Sequence, residues 1–527
     1  MEELEEGKRK EMSGKDFVNS AQIEQEVTEA PAGGTAKTVL LGVSEAATFL
    51  GLKKHTIYRL TVPAPCYSCI MGFAARDERA ARRGTPARLV PIVGLAFCLS
   101  CCLAACGAWK SPTPVTSAPR KIQVMASDGW IYDVMGENAK QFEKETGIKV
   151  SFTIYAPHVY FRALQTMLAS GEAADVFLMQ STRWYLGSEI DPEKSCIDLT
   201  GEEWTRRLKP AWLPAVSYKG HVYGLVVWDD TLGWVYTYND KIFRRLGLTA
   251  PRTYKEFVAV CNRIKQAGIV PIYEPGASRW HTSLTFFEMG DTFEQRDPGL
   301  YERLNTNRLK FADYEPFRRA LGQILSAANH GFFGSDFMAN TIEGSKTALI
   351  SGAAAMTLNK IGFARSVMKT SPDSGAQDWG MFPIPWLDNR TVSIERSAPT
   401  WFGNAKSRDR PAVLEFFRFL TREDNLYRYA AGQPEGTSLS FQTRPVPLLP
   451  NEQSFLGSAK LGGEPFQGGV KYVMPQWMEI EADFESMLAG ALSPDRFLSG
   501  VDARRANIAE AVRDPSWPRP TPESSSP

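Results

Sequence analysis

The sequence predicts an α/β protein with a largely parallel sheet and two lobes, on three observations. Strand-like and helix-like patterns alternate from residue 121 onward, and a second α/β region begins near residue 223. The chain's 527 residues also exceed what one ordinary domain packs around a single core.

In "KIQVMAS" (121–127) Ile122 and Val124 share one face, and "IKVSFTIYA" (148–156) repeats the pattern with Ile148, Val150, Phe152 and Ile154. Both read as strands. Between them Met135, Ala139 and Phe142 recur at i, i+4 and i+7, the stripe of an amphipathic helix that Gly147 ends. "ADVFLMQ" (174–180) is a third strand, so the body opens β-α-β-α-β, an arrangement whose ligands bind beyond the strand ends. The second region holds "YGLVVWDDTLGWVYTYNDKIF" (223–243), a helix at 254–268 and "TALISGAAAMTLN" (347–359). Residues 411–421 and 477–492 read as further helices.

Six of the eight cysteines precede residue 107, whereas all thirteen tryptophans follow Cys106. Arg76, Arg79, Arg82, Arg83 and Arg88 lead into the apolar run Leu89 to Phe97 and then small residues, the order of an export signal. The run is too short for a spanning helix. Leu103-Ala104-Ala105-Cys106 resembles the lipobox of bacterial lipoproteins, which implies cleavage of a signal at 71–105 and diacylation of Cys106. Cys98, Cys101 and Cys102 have no nearby His and no spacing for a tetrahedral metal site. Residues 106–120, including "SPTPVTSAP", read as a tether, 1–70 as a disordered or vestigial leader and 514–527 as a flexible tail. Within the leader, "VSEAATFLGLKKHTIYRL" (43–60) resembles a truncated excisionase-type helix-turn-helix, with Lys53, Lys54, His55 and Arg59 near its recognition helix. The basic wing of that family is missing, and 60 Lys and Arg against 59 Asp and Glu leave no basic stripe for nucleic acid.

"ADVFLMQ", "YGLVVWDDTLGWVYTYNDKIFRRLGLTAPRTYKEF", "SGAAAMTLN", "WGMFPIPW" and "MPQWMEIEADFESMLAGALSPDRFL" occur in an order similar to that of family 1 extracellular solute-binding proteins, the sugar-binding subunits of ABC importers. The resemblance covers roughly residues 120–513 and implies a two-lobed periplasmic-binding-protein-like fold of class II, with a ligand cleft between the lobes. The first lobe is expected at about 121–226 and 402–460, and the second at about 230–395 and 470–513. The implied partners are a mono- or oligosaccharide, the permease subunits of an importer, and the membrane through the lipid at Cys106. The protein is expected to be a monomer on the extracytoplasmic face, with no cofactor, metal or nucleic acid.

A sugar offers flat C–H faces and a rim of hydroxyls, so its site needs aromatic platforms beside fixed polar groups. Candidates placed by the resemblance are Asp128 and Trp130 after the first strand, Gln180 after the third, and Trp228, Asp229 and Asp230 at the hinge crossing. Arg279, Trp280, Asn359, Trp401 at the return crossing and Trp477 complete the set, with Trp228 and Trp401 as the main stacking rings. Trp184, Trp204, Trp212, Trp234, Trp379 and Trp386 are read as core or rim.

The competing class is a carbohydrate-active enzyme, which needs two carboxylates facing each other across a bond at about 5 to 10 Å. Adjacent Asp229 and Asp230 in a strand point to opposite faces. The five histidines form no metal-spaced motif, and neither a G-x-S-x-G nor a phosphate loop occurs. A third class, DNA binding, rests on residues 43–60 alone. Cys196 and Cys261 are expected as free thiols.

Overall fold

The computed structural model describes residues 120–517, apart from 229–232, 395, 434–437 and 445–446. The expectations for the leader, the helix-turn-helix-like piece, the signal, Cys106, Asp229 and Asp230 lie outside the described residues.

Alternation produces the first lobe as read. Strand β1 (Lys121–Ser127), helix α1 (Asp133–Thr146), β2 (Lys149–Tyr155), α2 (Pro157–Ser170), β3 (Val176–Ser181) and α3 (Tyr185–Glu189) follow one another. β1 pairs in parallel with both β2 and β3. Helix α1 buries Val134, Met135, Ala139 and Phe142, and it stops at Gly147, whose φ of 73° turns its amide onto the Glu143 carbonyl. The chain enters this lobe at Arg120, whose guanidinium donates to both carboxylate oxygens of Asp409 at 2.7 and 2.8 Å.

After β4 (Gly224–Leu225) the chain crosses to the second lobe. There it forms β5 (Trp234–Tyr238), α4 (Tyr254–Gln266), β6 (Val270–Tyr273), β7 (Ala354–Lys360), α5 (Phe363–Thr370) and β8 (Gly380–Phe382). It returns as β9 (Ala398–Gly403), α6 (Arg410–Leu420) and α7 (Glu423–Gly432), then crosses again to α8 (Pro450–Ser458), α9 (Trp477–Leu488) and α10 (Pro494–Ala511). The first-lobe sheet has the order β2-β1-β3-β9-β4 and the second β8-β5-β7-β6. The expected parallel pairing fails at β9 of the first sheet, which is antiparallel to β3 and β4, and through most of the second sheet. Only β6–β7 is parallel there; β5 is antiparallel to both neighbours, because it arrives straight from the crossing.

Each face of the first-lobe sheet has its own core. Ile122, Val124, Val176, Leu178 and Trp401 pack with α1, α6 and α7, whereas Met125, Phe177, Met179 and Phe402 pack with Tyr160 and Leu164 of α2 and Tyr185 of α3. That two-residue alternation decides the fate of Trp401. It is 1% exposed and sits edge-on to Phe416 at 6.0 Å, so it is a packing residue with no face left for a ligand, contrary to its sequence-based placement in the site.

Two boundaries also move. Residues 450–460, expected in the first lobe, pack with the second: Phe455, Leu456 and Ala459 lie on Val235, Ile361, Met381 and Val392, and Lys460–Leu461 pairs with Thr391–Val392. The start of the expected tail is docked, since Asp514 accepts from Lys471 Nζ (2.8 Å) and the Tyr472 hydroxyl (2.7 Å), and Trp517 lies 5.7 Å from the Tyr472 ring. The first and second crossings meet where Gly233 lies against the backbone of Ser393. A Cβ on Gly233 would stand 2.1 Å from the Ser393 carbonyl oxygen, so only glycine fits.

Cys196 and Cys261 are both buried and unpaired, one in each lobe, and burial pushes both thiols above their ordinary range. Among the described residues, no helix is long and apolar enough to cross a membrane.

Two outcomes follow from this packing. Trp401→Ala is expected to cost about 3 to 5 kcal/mol of stability, as truncation of a buried aromatic does, measured by denaturant unfolding without ligand. Alkylation of the native protein followed by peptide mapping is expected to leave Cys196 and Cys261 unmodified, and alkylation after denaturation to modify both.

Candidate ligand-binding cleft

The loops at the carboxyl ends of the first-lobe strands present a row of half-buried rings. Past β1, the Asp128 amide donates to the Tyr155 carbonyl at 2.7 Å, and its carboxylate turns back to accept from Gly129 N at 2.9 Å. Asp128 itself is exposed. Trp130 stands edge-on to Tyr160 (5.6 Å) and Phe161 (5.8 Å), which fixes its plane without covering it. Trp228, at the start of the first crossing, lies between Tyr132 (5.6 Å) and Tyr429 (6.4 Å). Its indole N–H is buried and finds no acceptor among the described residues. Gln180, at the end of β3, donates to the Ser397 hydroxyl at 2.7 Å, which ties that strand to the second crossing. Two residues on, the Thr182 hydroxyl is buried and lacks a partner among the described residues.

The second lobe answers with one loop, 274–283, pinned at both ends by buried carboxylates. Glu274, just past β6, holds His281 Nδ1 at 2.9 Å, and the other ring nitrogen lies 3.0 Å from the Leu358 carbonyl of β7. Glu481 of α9 accepts the amides of Thr282 (2.5 Å) and Ser283 (2.9 Å) and the Thr282 hydroxyl. Burial raises the Glu481 carboxyl, and these hydrogen bonds oppose the rise. Between the pins the loop carries Arg279, exposed with φ +46°, and Trp280, half-buried and edge-on to Trp234 at 6.0 Å. A left-handed φ on a non-glycine residue costs energy and is retained because the pins fix the backbone on either side.

Trp477 serves this loop from behind. Trp477 is 9% exposed, packs edge-on to Phe287 at 5.4 Å, and donates its indole N–H to the Trp280 carbonyl at 3.1 Å. Asn359 is buried on β7 and accepts from the Lys360 amide at 2.9 Å. The Lys360 ammonium in turn lies 4.8 Å over the Trp234 ring. The structure thus places Asp128, Trp130, Gln180 and Trp228 on one lobe and Arg279 and Trp280 on the other, while Trp477 supports the Trp280 loop and Asn359 is buried in β7. Sequence reasoning missed Tyr132, Glu274, His281 and Glu481. Only Tyr132, two residues from Trp130, had a local signal; Glu481 meets its partners across 199 positions of chain. Trp204, Trp212, Trp234, Trp379 and Trp386 are buried, as core residues should be, and Trp184 is half-buried beside the second lobe. Among the described residues, no group of acidic, His and Cys side chains could hold a metal ion.

Residues 129–426 match the family described as bacterial extracellular solute-binding protein. The chain belongs to that family. Solved structures share its fold across nearly their whole length. A sugar transporter protein from Bacillus licheniformis in complex with stachyose is 16% identical over 74% of this chain and 100% of its own, with a TM-score of 0.59. A chitin oligosaccharide binding protein is 17% identical over 75% of this chain and 99% of its own, at 0.61. The GacH receptor of Streptomyces glaucescens, solved unliganded and with acarbose, is 15% identical over 75% and 99%, at 0.57. No curated protein sequence matches the chain.

In this extracellular solute-binding protein the seam between the lobes carries its own titration. Glu189 of α3 is raised to about 7, by burial first and by the charge of Glu479 on α9 as well, against a hydrogen bond from Gln165. The folded protein then keeps a proton that the unfolded chain releases above about 4.5, so stability falls as pH rises from about 4.5 to about 7 and is flat beyond. Glu189→Gln is expected to remove that slope, raising the melting temperature at pH 8 and leaving it unchanged at pH 4, read by thermal unfolding across pH.

Proposed function

We propose that this solute-binding protein serves an ABC importer, clasping a mono- or oligosaccharide between its lobes and passing it to the permease. The observation that carries the reading is the set of half-exposed rings, Trp130, Tyr132 and Trp228 on one lobe and Trp280 on the other. Beside them lie the unsatisfied Trp228 N–H and Thr182 hydroxyl. A sugar supplies C–H faces for the rings and hydroxyls for those buried polar groups, which are costly to leave unmet. The stachyose, chitin oligosaccharide and acarbose named for the structural relatives point the same way. Binding is the whole task in this reading: the ligand leaves chemically unchanged. Asp128, Gln180 and Arg279 supply polar contacts, and the family resemblance of the sequence adds Asp229 and Asp230 to them. The protein acts as a monomer held to the membrane by acyl chains on Cys106, after removal of the residues before it.

A thermal-shift screen against a broad saccharide library tests the reading, since a ligand of the native state alone raises the melting temperature. At least one saccharide should bind, and a library that shifts nothing while non-sugar polar solutes do would overturn the carbohydrate assignment. With the ligand found, Trp228→Ala and Trp280→Ala should each weaken binding by ~30-fold, about 2 kcal/mol, by calorimetry. Trp401→Ala should lose stability in place of affinity. Cys106→Ser should release the protein from the membrane fraction, and unchanged retention would sink the anchor.

A further inference from the structure

Away from the crossings the lobes touch on both sides of the first-lobe sheet, and on each side a second-lobe ammonium makes the contact. On the side covered by α1, α6 and α7, Lys369 of α5 donates from Nζ to the carbonyl of Ala431 at 2.8 Å and to that of Gln433. These carbonyls end helix α7, where the last turn has no partners of its own and carries the negative end of the helix dipole. Partial burial, with the charges of Arg365 and Lys346, lowers the Lys369 pKa.

On the opposite side, Lys471 Nζ lies 5.2 Å from the centre of the Trp184 ring at the end of β3. Asp514 and Ser516 hold that ammonium at 2.8 and 2.7 Å. Burial alone would raise Asp514, but hydrogen bonds from Lys471, Tyr472 and Ser516 prevail and bring it to about 2. Beside Lys471, Met474 packs against both the second-lobe core and the first-lobe cluster around Tyr185. The first clasp also reaches the candidate site. Gln433 donates from Nε2 to the Tyr429 hydroxyl at 3.0 Å, and the Tyr429 ring lies 6.4 Å from Trp228.

We propose that Lys369 and Lys471 are positioning residues for ligand capture, two cationic clasps that hold the lobes at the spacing where the rings of both walls meet one ligand. Each is anchored in the second lobe and delivered to a fixed acceptor of the first, a helix end on one side and an indole face on the other. Crossings alone leave the lobes free to swing; clasps on both sides bias that motion toward closure before any ligand arrives. The proposal goes beyond the carbohydrate reading and does not need it, because closure is measured without ligand.

Single-molecule energy transfer in the full-length chain provides the test, with dyes on unnatural amino acids at the exposed positions Lys140 and Arg319, one in each lobe. Lys369→Met and Lys471→Met should each enlarge the low-transfer, wide-open population several-fold, and the double variant more. Lys369→Arg and Lys471→Arg should return it toward wild type. An unchanged distribution in a folded double Met variant overturns the proposal, as does equal opening in the Arg variants. Should the Met variants fail to fold, wild type in ~1 M KCl replaces them, where the Debye length is about 3 Å. Widening there supports the clasps, and an unchanged distribution refutes them. Because no saccharide enters the measurement, a failed ligand screen leaves its outcome intact.

Discussion

The chain passes between its lobes three times, and that constraint governs the rest of the structure. Lobes joined by one strand could tumble; lobes joined three times are confined to a hinged swing. The confinement is tightest where Gly233 lies against the Ser393 carbonyl, a contact with no room for a side chain. Gln180 reaches the same bundle through Ser397, and Trp228 leaves from it. The polar and aromatic groups nearest the crossings therefore move least when the lobes move, which makes them the natural floor of a ligand site.

The second wall is organised differently. Its exposed pieces, Arg279 and Trp280, lie on a loop with little secondary structure of its own, and buried charge supplies the rigidity. Glu274 and Glu481 take up imidazole, amide and hydroxyl donors at the two ends of the loop, so neither carboxylate is left unsatisfied. Removing one carboxylate would strand its donors in the core. A polar network of this kind holds geometry that apolar packing alone would leave loose.

Much of the first lobe was legible because its signals are local. β1 and β2 follow residue alternation, β3 is a short apolar run, and α1 follows a three-residue stripe and a glycine stop. The direction of a strand side chain was not. Trp401 and Phe402 look equally suited to a cleft, and which of them faces α6 depends on the register of β9 against β3, set by pairing between residues more than two hundred positions apart. Contacts that are not local in sequence, at shorter separations, also hid Glu481, the packing of 450–460 on the second lobe, and the docking of Asp514 and Trp517. Trp477 was recognised as important but its role was misread: its indole reaches the Trp280 backbone, so its importance to the cleft is indirect.

The Arg120–Asp409 pair bears on force as well as on folding. Residue 120 meets the first lobe at the amino end of β1, the edge opposite the strand ends that carry Asp128, Trp130 and Gln180. Tension arriving through that residue is shared at once with Asp409 at the head of α6, and what passes into β1 runs along the strand between two parallel neighbours. Hydrogen bonds on both sides then bear the load together in shear instead of opening one at a time. A body tugged from this end would be dragged as a unit, with its crossings and clasps unloaded, free to open and close on their own timescale.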